Sequence, residues 1–328
     1  MWRIGDLVFP LARKVLPGIA RRRAGYIVDR VGDVKVSVDR IVERRIGYWG
    51  YHVLSSGDGN DLIGRLLQSG EPTAIGKLGV VETRALRSFI ENRGKEVVWD
   101  TATTLALYRN AGVFPPDDKV LRRWCVEFLD SVQSIDLMGL YFFRNESKIV
   151  RKFAPNAKVA EARALDPWYH REPWSRYLQK KRVLVIHPFE QSIRRQFVHR
   201  DKIWQDERIL PIFELDTVKV PLSDALVKSG FEDWFAALHH IMARISEKEF
   251  DVAIVGAGAY SIPLVAHIKA RGKFAIHLGG GTQILFGIKG KRWDNHEIGL
   301  RFYNDYWARP LEEETPPNVG IVEDGCYW

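Results

Sequence analysis

Between Phe250 and Trp293 lie two glycine turns whose residue types suit anion binding: Gly256-Ala-Gly258-Ala-Tyr260-Ser261 and, one strand later, Gly279-Gly280-Gly281-Thr282-Gln283. Glycine lacks the Cβ that holds a ligand off the backbone, and free N–H groups at a helix start attract phosphate. Lys289, Lys291 and Arg292 follow, with Trp293 beside them, offering cations and a flat ring for a base or a sugar. The set describes a pocket for a nucleotide or a nucleotide-linked group; the competing reading is that the glycines only permit close packing. Two more groups could do proton chemistry. Glu82 falls at a helix start just after a strand, either as a working carboxylate or as a simple partner of the helix dipole. His187 ends an apolar strand, where an imidazole can be an acid, a base or a hydrogen-bond donor. Lys77 and Gly79 occupy the turn before Glu82, and Arg194 sits on the helix expected after His187.

Such residues meet only if strands deliver them to one edge. Asp251 to Val255 is a short β-branched run ending at Gly256, and reads as a buried parallel strand. Ile262, Leu264, Val265 and Ile268 then recur at helical spacing from Tyr260 to Ala270, with Pro263 early and Gly272 as the stop. Lys273 to Leu278 resumes as strand, and Gln283 to Ile288 as a short helix. This strand–helix–strand unit leaves both glycine turns at the carboxyl edge of a parallel sheet, where ligands of such sheets bind. Thr73 to Gly76, Glu96 to Trp99, Lys181 to His187 and Leu210 to Leu215 are further predicted strands. Helices are predicted over 61–69, from Val81 to about 92, over 101–108, after a cap at Asp117 or Asp118, and over 222–245. Ser55 to Asn60 reads as a loop. Asp166 to Tyr177, dense in aromatic residues and prolines, is either a sugar or base platform or a rigid connector. Cys125 reads as a packed thiol, and His239 and His240 point apart on their helix, which disfavours a shared metal.

The fold class expected is α/β: a Rossmann-like, mostly parallel sheet flanked by helices, with a helical N-terminal extension and an aromatic-rich C-terminal tail that docks and closes one wall of the crevice. Three regions follow: a basic arm and extension over 1–59, a first α/β half over 60–165, and a second over 166–328. The formal net charge of +8 favours an anionic partner. Two cysteines give no disulfide framework, and no apolar run nears the roughly 18 residues of a spanning helix. The expected location is therefore the cytoplasm. Residues 1–24 form a basic amphipathic stretch without a secretory pattern, either resting on the anionic inner face of the cytoplasmic membrane or solvated as an arm.

Two places resemble bacterial glycosyltransferases of the GT-D type and related polysaccharide-biosynthesis proteins. Ile75-Gly-Lys-Leu-Gly-Val-Val-Glu82 is similar to that family's strand followed by Gly-Asp-Gly-Glu, whose Asp-x-Glu pair serves the donor and its metal. Val183 to Phe189 and Asp251 to Gly281 are similar to its strand-Gly-Pro-Phe turn and its glycine-rich crossover. Val80 stands where the family has the Asp, and His187 where it has Gly. The resemblance implies transfer of a sugar from a nucleotide-sugar donor to a glycan or lipid-linked acceptor in surface polysaccharide assembly, with a divalent Mn or Mg ion left open. On this reading the glycine turns hold the diphosphate, Lys291 and Arg292 offset its charge, and Glu82 contacts the donor sugar or acts as general base. His187 and Arg194 stand second at the same edge. Two alternatives remain. One is an NAD(P)-dependent oxidoreductase, weakened by Ser261 in place of a third glycine and by the absence of an acid at His277-Leu278. The other is a non-catalytic scaffold that binds sugar nucleotides. Nucleic acid is not an expected partner, because the basic residues are scattered.

Overall fold

The computed structural model describes residues 38–92, 97, 99–222, 230–322 and 324–328; the arm 1–24 lies outside the described residues. The strands are β1 (Val53–Leu54), β2 (Thr73–Lys77), β3 (Leu137–Leu140), β4 (Lys158–Glu161), β5 (Arg182–His187), β6 (Glu214–Lys219), β7 (Val252–Val255) and β8 (Phe274–His277). They form one sheet in the order β1-β4-β3-β2-β8-β7-β5-β6, and every pairing is parallel. The fold is thus the expected Rossmann-like α/β arrangement. Strands from before and after residue 166 share this single sheet, joined where β2 pairs with β8.

Both faces are covered, which explains why the central strands read as continuous apolar runs rather than alternating ones. Successive side chains still point to opposite sides. Leu184 and Ile186 enter a core with Trp234, Ile241 and Leu264, whereas Val183 and Val185 enter a second core with Trp168, Ile193 and Phe286. The principal helices are α1 (Ser56–Ser69), α2 (Val80–Glu91), α3 (Thr101–Ala111), α4 (Asp118–Val132), α5 (Glu146–Phe153), α6 (Glu190–Phe197), α7 (Arg200–Ile203), α8 (Trp234–Ser246), α9 (Ser261–Ala270) and α10 (Gly281–Leu285). Asp100, Asp117 and Asp233 cap α3, α4 and α8 through hydrogen bonds from the first-turn amides. Among the described residues no helix is long and apolar enough to cross a membrane.

Several boundaries differ from the sequence reading, each for a local reason. The Ser55–Asn60 loop is the first turn of α1: Ser55 Oγ accepts from Asp58 N–H, and Gly59 lets the helix press on Ala160 and Ala164. Val97 and Trp99 are irregular rather than strand. Leu210 and Phe213 are buried from an irregular approach, and the strand starts later, at Glu214, because edge strand β6 is partly solvated and its polar residues hid it. The short helix after β8 starts at Gly281 and ends at Leu285, not Ile288. The long helix expected from Leu222 begins, among the described residues, at Trp234, where Asp233 caps it.

The C-terminal tail docks as expected. Gln283 Nε2 donates to Tyr327 O, Lys291 N–H to Trp328 O, and Arg292 N–H to Cys326 O. The buried carboxylate of Glu314 reaches α6, where it accepts from the N–H groups of Gln191 and Ser192 and from the Ser192 hydroxyl. Removing it would leave buried donors unpaired and strip charge-assisted bonds worth about 1.5–3 kcal/mol each at most. Glu314→Ala is therefore expected to lower unfolding stability by about 3 kcal/mol, seen as a reduced urea midpoint at unchanged slope. A midpoint within error of the parent would show that the tail does not support α6.

Candidate functional site

A cleft of about 490 Å³ opens at the carboxyl ends of five neighbouring strands, β3, β2, β8, β7 and β5. Each strand delivers its own group. Past β3 comes Tyr141, past β2 the run Lys77 to Glu82, past β8 His277 and the triple glycine, past β7 Gly256 and Gly258, and past β5 His187. The tail supplies a wall through Tyr327 and Trp328, and Trp168 and Trp293 add two more flat faces.

At the centre is Lys77, the last residue of β2 and only 7% exposed. Burial alone would lower its pKa, but interactions with Tyr141 and Asp166 outweigh this and hold the ammonium above its ordinary range. It therefore stays charged. Its Nζ lies 5.5 Å from the centroid of the Tyr141 ring. Asp166 shifts upward because burial dominates, against the pull of Lys77, Arg163 and His170. A raised carboxyl beside a cation is a common mark of working sites. Its neighbour Trp168 is fixed by stacking on Trp204, with centroids 5.7 Å apart and planes 6° from parallel. The 166–177 segment is a fixed connection that also reaches the cleft. Two short 3₁₀ turns, Pro167–Tyr169 and Trp174–Leu178, fix its course and Trp174 is wholly buried, while Asp166 and Trp168 line the cleft.

Two imidazoles share this edge. His187 Nδ1 accepts from the Phe189 N–H at 2.9 Å, so the neutral ring carries its proton on Nε2 and serves as a donor. Burial pushes its pKa down to about 3. His277 falls to about 3 as well, through burial first and the Lys77 charge second. Neither ring is charged near neutrality. With Nδ1 occupied and the ring neutral, His187 Nε2–H is a hydrogen-bond donor.

The glycine turns prove to be crowded. A Cβ on Gly256 would sit 2.6 Å from His187 Cδ2 and 2.7 Å from both Gly279 O and Thr282 Oγ1. Gly279 has φ +58°, in the left-handed region, and the Lys77 chain passes beside it. Gly280 and Gly281 lie under Trp293 and Trp168 respectively. Close packing and exposure to the cleft thus coexist, since Gly256, Gly258 and Gly279 to Gly281 all line it. Glu82 is the third residue of α2 and lines the cleft; its carboxylate folds back over Gly79. That placement favours the first turn of α2, as the dipole reading anticipates.

Lys77, Gly79, Glu82, His187, Gly256, Gly258, Gly279, Gly280, Gly281, Gln283 and Arg292 come together here. Five candidates do not line the cleft. Tyr260 is buried in a stack on Trp234, with centroids 4.9 Å apart, and Ser261 Oγ accepts from Ala257 N–H. Thr282 is fully buried beneath Gly256. Arg194 bonds to Asp216 and Thr217 beside β6, and Lys291 Nζ donates to Asp324 O in the tail. The donors of α6, expected to meet an anion, are taken by Glu314. Sequence reasoning missed Asp166, Tyr141 and His277. Asp166 could have been found as the one acid opening the aromatic segment, whereas Tyr141 was invisible while Leu-Met-Gly-Leu went unrecognised as β3.

The residues present do not form the Asp-x-Glu pair that would hold a metal, because Val80 lines the cleft at the first position. Among the described residues no group of three or more His, Cys, Asp or Glu side chains is placed to bind one. Searches against protein-family models, curated proteins and solved structures found no match for this chain.

The histidines make a pH prediction. An unfolded chain takes up protons near the ordinary value of 6.5, whereas the folded one does so near 3. Stability from these rings is complete above pH 6.5 and declines as pH falls toward 3. Glu146 opposes them: burial foremost, with the Glu43 charge adding to it, raises its pKa to about 8, so it loses stability as pH rises from 4.5 to 8. The difference between the parent and a His187→Gln/His277→Gln variant isolates the rings. Unfolding midpoints measured from pH 7.5 to about 4.5 should fall more steeply in the parent; parallel profiles would place both rings in solvent.

Proposed function

We propose that the protein is a glycosyltransferase that moves a sugar from a nucleotide-sugar donor to a hydroxyl acceptor, a glycan or a lipid-linked sugar of surface polysaccharide assembly. The observation that carries this reading is a buried, charged Lys77 beside the raised carboxyl of Asp166, inside an aromatic-walled cleft at the ends of the central strands. The likeness of the Lys77–Glu82 turn to the GT-D motif points the same way.

In this mechanism the diphosphate lies over Gly279 and Gly280 between Lys77 and Arg292. Aromatic faces such as Trp168 and Trp293 take the sugar or the base, since flat rings pack on the apolar faces of both. The acceptor hydroxyl oxygen attacks the anomeric carbon and the bond to the diphosphate oxygen breaks. The hydroxyl proton passes to Asp166, whose raised pKa suits a base, and the charge left on the diphosphate is held by Lys77 and Arg292. Glu82 contacts donor hydroxyls, and His187 offers its Nε2 proton as a hydrogen bond. Dinucleotide chemistry is less well supported, because β8 ends in His277 with no acid for a ribose.

A thermal-shift panel of UDP, GDP, CMP, dTDP and their sugars, with NAD and NADP as controls, tests the proposal. One sugar nucleotide is expected to raise the midpoint, because a ligand that binds only the folded state stabilises it. Lys77→Met should remove that shift. Asp166→Asn should keep it while lowering transfer by about 100-fold or more. A response to NAD or NADP with none to any sugar nucleotide would overturn the proposal.

A further inference from the structure

Val38, Ile41, Val42, Ile46 and Trp49 recur at helical spacing, yet all five face outward; Ile46 is 70% and Trp49 80% exposed. An amphipathic segment ordinarily turns such a stripe toward the core. Three of them are contiguous, since Val42, Ile46 and Trp49 line one shallow hollow together with Lys148 and Arg151.

The pose is fixed from its other side. Buried Glu43 accepts from the N–H groups of Asn145 and Ser147 and from the Ser147 hydroxyl. Arg151 donates to the carbonyls of Gly47 and Trp49. Tyr48 is buried and packs edge-on against Phe142. The π-helical turn Glu43–Gly47 is therefore anchored by its polar groups while its apolar groups are presented. Cations ring the stripe: Arg40, Arg44 and Arg45 are exposed on the same segment, with Lys148 and Arg151 at the hollow. Arg44 pairs with Glu161 and Lys148 with Glu91 at the margin, and the segment's own acids are half-buried Asp39 and buried Glu43. Apolar side chains with an exposed tryptophan, bordered by arginines, match the headgroup region of an anionic membrane.

We propose that this face, distinct from the arm 1–24, binds the surface of an anionic bilayer, with Ile46 and Trp49 among the headgroups and the arginines against lipid phosphates. Arg40 belongs to the same segment and also lines the main cleft, together with Phe143. Docking here would bring the Arg40 side of the cleft toward the membrane surface, where an acceptor carried on lipid lies. That consequence rests on the glycosyl-transfer reading, whereas the membrane contact does not.

The test is co-sedimentation of the full chain with vesicles of phosphatidylcholine alone, or mixed in equal amounts with phosphatidylglycerol. The parent is expected to bind the mixed vesicles more tightly, and less so as salt rises. Ile46→Ser/Trp49→Ser should weaken vesicle binding about tenfold or more, and Arg45→Glu about fivefold or more. Val198→Ser/Leu300→Ser, at two other sites that are 70% and 77% exposed, should bind like the parent. Parent-like binding by the Ile46/Trp49 variant would assign any membrane contact to another segment and overturn the proposal. So would failure of the parent to bind the mixed vesicles, or a parent dimer in sedimentation equilibrium that the variant converts to monomer. Because sugar-nucleotide binding is read separately by thermal shift, either result can fail without the other.

Discussion

A lysine ammonium cannot sit below a protein surface unless something repays its lost hydration. Lys77 is such a group, and the carboxyl edge of the sheet is built to keep it charged. Its partners come from different elements. Tyr141 follows β3, and its backbone N–H is held by Glu146 at the start of α5. Asp166 is set by the 3₁₀ turns that also fix Trp168. Gly279, with its left-handed backbone, gives the lysine chain room to pass. If the ammonium is to remain in place, β2, β3, β8 and the aromatic segment must all hold their relative positions.

At the same edge a glycine turn both packs tightly and lines the cleft. Gly256 has no room for a methyl group between His187, Gly279 and Thr282, so three strand ends are drawn within contact of one another. That closeness buries His187 and keeps its ring neutral, while His277, partly buried beside Lys77, is held neutral as well. It leaves the positive charge of the cleft to Lys77, with Arg292 and Arg40 also lining it.

The sheet and its carboxyl-edge crevice were legible because the runs around β2, β5, β7 and β8 are short, apolar and bounded by glycine or a polar residue. β3 and β4 were missed because Leu137–Leu140 ends without a glycine turn and Lys158–Glu161 has a charged residue at each end of a two-residue apolar middle. β6 was displaced because an edge strand mixes polar with apolar residues. Within the site, Lys77, Glu82, His187 and the glycines could be found because each ends or follows a recognisable strand. Asp166 could be singled out as the acid that opens the aromatic segment, but its approach to Lys77 was hidden because it depends on a connection with no periodic pattern. Arg194 and Lys291 were named for their charge, but spacing does not reveal that Asp216 and a tail carbonyl already occupy them.

The strand order carries a consequence for how the chain is made. β2 lies in the middle of the sheet, and its five residues are all buried, yet one of its two neighbours is β8, whose Phe274 pairs with Thr73. During synthesis the half-sheet β1-β4-β3-β2 can form long before β8 leaves the ribosome. Through that interval β2 is an apolar edge with unpaired N–H and C=O groups, the kind of surface on which growing chains aggregate. Late pairing between distant segments also slows folding. A nascent chain of this protein therefore exposes a strand that ends up wholly buried until β8 is made, and a chaperone that shields strand edges would act on it at β2.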